Sequence, residues 1–155
     1  MSFDASANDV LTALNVQLPI LHDGAQPLPT SVQPGGVFGG RVSPDVEIYV
    51  LPQTSALSKV RAVTVHVTGS GGAFQTPARL LSGVGTSLYG LSADVADGFR
   101  TDALPKLSSI TRTRTTLTVK NFYELTVVVR DSSSLAFVFT PIGVTSQAAY
   151  ESLGK

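Results

Sequence analysis

Apolar and polar residues alternate along much of this chain. In 46–50, Val46, Ile48 and Val50 alternate with Glu47 and Tyr49. In 60–67, Val63, Val65 and Val67 share one face, and Ala62, Thr64 and His66 share the other. Period two predicts strands with one face turned inward. Two further runs, Leu125, Val127, Val129 and Leu135, Phe137, Phe139, flank the turn-forming cluster Asp131-Ser132-Ser133. Pairing Val129 with Leu135 puts both apolar sets on one face. A one-residue slip would set Phe137 and Phe139 against Thr126 and Glu124, so the pattern selects the register. Residues 111–120 predict another strand. Arg112, Arg114, Thr116, Thr118 and Lys120 form its polar, basic face, and Leu117 and Val119 lie on the opposite one.

Helix signals are fewer. Ser92 is placed to cap a helix that begins at Ala93, with Asp94 near its positive end. Val95, Phe99 and Ala103 would line one face, with Pro105 following the end, and Gly98 in the middle costs about 1 kcal/mol against Ala. Asp4 is placed to cap a short helix carrying Ala7, Val10, Leu11 and Leu14. The alternation of Leu14, Val16, Leu18 and Ile20 instead predicts strand, so residues 5–14 admit either element. Residues 19–44 hold five prolines and five glycines. Proline lacks a ladder donor and glycine favours turns, which predicts a long loop or arm with little regular structure. Such an arm either wraps on its own domain or gains its order from a neighbouring subunit.

There is neither an internal sequence repeat nor a second-domain boundary. These elements predict a mainly β fold, one antiparallel sandwich or barrel over 1–155, with one or two short helices. A jelly roll is among the compatible arrangements. Length and composition agree. The chain has 155 residues, 43% hydrophobic, enough to bury a core without covalent staples. Its longest uncharged apolar stretch, Val10 to Leu21, is too short for a membrane span. The opening Met1-Ser2-Phe3-Asp4 lacks the basic and apolar regions of a secretory leader, so no signal peptide is expected.

Candidate chemistry is sparse. The absence of cysteine removes thiol catalysis, disulfides and Cys-based zinc sites. His22 and His66 have no metal-ligand spacing and read as solvated surface residues. Gly85-Thr86-Ser87-Leu88-Tyr89 fails the nucleophile-elbow pattern at its fifth position. Gly35-Gly36-Val37-Phe38-Gly39-Gly40 runs into Arg41-Val42 rather than the Gly-Lys-Ser/Thr of a phosphate loop. Asp45 and Glu47 share a strand face, but two carboxylates alone make a weak calcium site. No enzyme, metal or cofactor is expected.

Charge changes the picture more. Charged residues are 14% and cancel to a net +0. Residues 1–58 carry one basic residue against five acidic, and residues 59–130 carry nine against four. Identical copies could therefore meet head to tail, in the heterologous contacts that build rings and shells. Candidate contact residues are Arg112, Arg114 and Lys120 on one side and Asp23, Asp45 and Glu47 on the other. The expectation is a structural subunit of a symmetric assembly, a capsid or tail component of a virion assembled in the cytoplasm, with copies of itself and other assembly subunits as partners. Two alternatives stand beside it. A carbohydrate-binding or adhesive module needs an aromatic platform, yet the chain has no Trp and four Tyr. Nucleic acid could engage Arg112, Arg114 and Lys120, but single-strand binders interleave aromatics with basic residues.

Overall fold

The computed structural model describes residues 2–21, 25–29, 36–53, 58–68, 75–107, 114–131 and 134–143. In chain order these form α1 (Ala7–Leu21), β1 (Phe38–Ser43), β2 (Val46–Pro52), β3 (Val60–Thr68) and α2 (Gln75–Ser87). A helical run follows as α3 (Ala93–Gly98), a π-helical stretch (Phe99–Ala103) and α4 (Leu104–Leu107), and then come β4 (Arg114–Val119), β5 (Tyr123–Asp131) and β6 (Ser134–Thr140). The strands make one antiparallel sheet, ordered β1-β2-β3-β6-β5-β4. The mainly β, antiparallel class holds. Among the described residues the sheet stays open, and its apolar face is covered by helices.

Helix wins over strand in α1. Ser6, not Asp4, caps it: its hydroxyl accepts from the Asp9 N–H (3.1 Å). Val10, Leu11, Leu14 and Leu18 recur at helical spacing and are buried, whereas Val16 and Ile20 are each 66% exposed. The alternation that predicted strand was thus two inward leucines interleaved with two outward residues. Pro19 is tolerated near the exposed end of this helix.

The α2 helix had no clear signal, because Gly83 and Gly85 lower its intrinsic propensity. Space explains both. A Cβ on Gly83 would stand 2.3 Å from the end of the Leu21 side chain, and one on Gly85 would meet the Tyr123 ring. The later helix begins where expected, with the Asp94 N–H donating to Ser92 Oγ (3.2 Å) and Val95, Phe99 and Ala103 buried. It runs past Pro105 to Leu107. Pro105 has no N–H to offer the Thr101 carbonyl, and the chain widens there into a π turn, with Leu104 N–H bonded to the Phe99 carbonyl.

The β5–β6 register is the predicted one: Val129 faces Leu135, Val127 faces Phe137 and Leu125 faces Phe139. Val127, Phe137 and Phe139 are fully buried, while Val129 and Leu135 at the open end are half-buried. Residues 132–133 of the turn lie outside the described residues. One row crosses all six strands: Gly40, Ile48, Val65, Phe137, Val127, Thr115. Its four central members are apolar and face the helices, where Leu11, Leu14, Leu80, Leu81, Val95 and Phe99 complete the core.

The strand order is symmetric about the β3–β6 pair. Each half is a helix or helical run followed by a three-stranded meander, and the halves join edge to edge through Val65 opposite Phe137. No repeat was visible in sequence because this symmetry needs only apolar residues at matching positions, not identical ones.

Within 19–44, regular structure is richer than expected. Residues 19–21 finish α1 and residues 38–43 form β1. β1 accommodates its glycines because β2 approaches so closely: a Cβ on Gly39, which sits at φ 116°, would stand 2.1 Å from the Ile48 carbonyl oxygen. Residues 25–29 rest on their own domain. Asn15 grips the Leu28 backbone twice, its Oδ1 accepting from the N–H (2.7 Å) and its Nδ2 donating to the carbonyl (3.2 Å). Leu28 is buried.

Candidate assembly interface

The basic candidates gather at one margin of the sheet. β4 is the end strand, six residues long, with neither Pro, Gly nor a register shift. Arg114, Thr116 and Thr118 are exposed, whereas Leu117 and Val119 point into the core. Lys120, also exposed, begins the β4–β5 turn, where its backbone N–H donates to Asp102 Oδ2 (3.0 Å). Arg112 lies outside the described residues.

The hydrogen-bonding phase of β4 follows from this turn. Phe122 N–H donates to the Val119 carbonyl (3.1 Å), and Val119 stands opposite Tyr123. Val119 therefore turns its peptide groups toward β5. In an antiparallel ladder that direction alternates residue by residue. Leu117 and Thr115 follow Val119, and Arg114, Thr116 and Thr118 present their N–H and C=O groups outward. Behind them the Thr116 and Thr126 hydroxyls meet at 2.9 Å.

The acidic candidates lie toward the other side of the sheet, with Glu47 on β2, four strand spacings or about 19 Å from β4. Glu47 is already engaged. Its carboxylate pairs with Arg41 (2.8 Å) and accepts from the Tyr49 hydroxyl (2.7 Å). Burial and then the neighbouring carboxylate push the Tyr49 phenol up to about 12. Asp45 is not on the strand face with Glu47; it occupies the exposed β1–β2 turn. Asp23 lies outside the described residues. The structure thus sets Arg114 and Lys120 apart from Asp45 and Glu47. Sequence reasoning missed Arg41 and Tyr49 as the partners of Glu47. The signal was the short Pro44-Asp45 turn, which folds Arg41 back opposite Glu47.

The β1 margin is not a bare ladder. The Gln26 N–H donates to the Val42 carbonyl (2.7 Å), and the β1–β2 register shifts between Arg41 and Ser43. A natural sheet blunts an edge in these ways, with a covering segment and an irregularity. Among the described residues nothing comparable covers β4.

Other sequence candidates resolve differently. His66, expected to be solvated, is only 8% exposed, with its ring edge-on to Tyr49 at 5.8 Å. The sheet face away from the helices is itself buried at its centre, where Leu51, Ala62 and Val138 cluster and Thr64 and Thr140 are covered. His22 lies outside the described residues. Ser87 and Thr86 spend their hydroxyls on the carbonyls of Val84 (2.6 Å) and Gly83 (2.9 Å), one turn back in their own helix. Among the described residues no three His, Asp or Glu side chains gather as metal ligands, and no helix is long and apolar enough to cross a membrane. Every described Phe and Tyr is buried or half-buried. No family model, curated protein or solved structure matches the chain.

Proposed function

We propose that this chain is a non-enzymatic structural subunit of a symmetric assembly, a capsid or tail component of a virion. The observation that carries the reading is the regular edge of β4, unpaired among the described residues, with its outward peptide groups. Such an edge is a template for strand pairing, and monomeric proteins normally blunt theirs. Composition supports the same reading, since a chain of 14% charged residues and no net charge has little electrostatic barrier to self-association. Electron microscopy of the purified protein at micromolar concentration tests it. Uniform closed particles, rings or tubes are expected, and a field of single small domains would contradict it.

A further inference from the structure

We infer that β4 pairs with β4 of a second copy across a two-fold axis perpendicular to the sheet, centred on Thr116. This rests on the assembly reading above and names its first contact. The partner is a second copy because the strand is complementary to itself. With Thr116 opposite Thr116, Arg114 faces Thr118 at both ends. All three outward residues then find outward partners, which closes six backbone hydrogen bonds. A shift of two residues in the pairing loses one matched pair of residues and two of those bonds. The centred register also keeps the two Arg114 guanidinium groups on opposite sides of the axis, their Cα atoms about 14 Å apart along the strands. Like charges directly opposite would be destabilising.

Two features of the fold favour this over a head-to-tail chain. A head-to-tail contact would need the β1 margin, where Gln26 already takes the Val42 carbonyl and the register shifts. With one edge open and one blunted among the described residues, pairing closes after two copies and gives a twelve-stranded sheet with all described helices on the same side. The chain also uses this geometry internally, where its two helix-plus-meander halves join edge to edge through β3 and β6 about a similar axis. Across the new contact the row Thr126–Thr116 would continue as Thr116–Thr126 of the second copy, a ladder of β-branched residues suited to a pleated surface.

The chain has no cysteine, so single-cysteine variants report proximity without background. Hydrogen-bonded antiparallel partners have Cα atoms about 5.5 Å apart, within the disulfide range of about 4.4–6.8 Å. Oxidised Thr116→Cys should therefore form a covalent dimer. Thr118→Cys alone should not, while a mixture of Arg114→Cys and Thr118→Cys chains should cross-link to each other. Thr116→Pro, which deletes an outward N–H and leaves the β5 ladder intact, should abolish the dimer with unchanged circular dichroism. If the wild-type protein self-associates but Thr116→Cys stays uncross-linked, or Thr118→Cys links as readily, the two-fold edge is wrong and the assembly reading survives. A wild-type protein that is monomeric throughout would overturn both.

Discussion

The Tyr123 hydroxyl lies 2.6 Å from where a Cβ on Gly85 would stand, and two ring carbons come within 2.9 Å of the same point. Tyr123 is fully buried at the start of β5, so it has nowhere to retreat. Gly→Ala inside a helix ordinarily stabilises by about 0.5–1 kcal/mol. Here the sign reverses. Gly85→Ala should destabilise by about 1–3 kcal/mol through overpacking. Tyr123→Phe should recover only part of that loss, because the ring carbons remain. Gly83→Ala should cost less than Gly85→Ala, since its obstacle is the flexible tip of Leu21. Denaturant midpoints for Gly85→Ala, Gly83→Ala and the Gly85→Ala/Tyr123→Phe double variant decide the order.

Phe137 stands at the centre of the sheet, opposite Val65 on one side and Val127 on the other, with no exposed surface. Phe137→Ala should cost about 3–5 kcal/mol. A loss below about 1 kcal/mol in chemical denaturation would remove it from the core.

The hairpin around Phe137 was legible in sequence because period two on both flanks of a turn leaves one workable register. The helix at 93–107 was legible from Ser92, and the basic face of β4 from its alternation. Three features were hidden. In α1, Leu14 and Leu18 match both periods, and only packing against the core decides between them. In α2, the two glycines that lower helix propensity are needed for Leu21 and Tyr123, which are distant in sequence. At the candidate interface, the blunting of β1 depends on a hydrogen bond from Gln26, which no local pattern encodes.

Asn15 and Leu28 give a test of where the Pro/Gly-rich stretch takes its order. Asn15→Ala removes both backbone hydrogen bonds to Leu28 and should destabilise by about 1–3 kcal/mol. In dissociated wild-type protein the Leu28 amide should exchange slowly, and in the variant quickly. Rapid exchange already present in the wild-type monomer would show that a neighbour, not Asn15, orders residues 25–29.

Tyr49 should titrate near pH 12 rather than 10, because burial and the Glu47 carboxylate both favour the neutral phenol. The sign follows from linkage. A pKa raised on folding contributes stability that is fully present below pH 10 and is lost as pH rises through about 12. Glu47→Gln removes the neighbouring charge but not the burial, so the midpoint should fall yet stay above the ordinary value. Ring-labelled NMR of Tyr49 from pH 9 to 13 reads both midpoints.

The mass of the wild-type protein in solution tests the central claim most directly. Multi-angle light scattering on a chain of 16.2 kDa separates one copy from two without ambiguity. Species containing even numbers of chains are expected at micromolar concentration, with Thr116→Pro shifted to the monomer. A single 16.2 kDa species at every concentration would contradict the account.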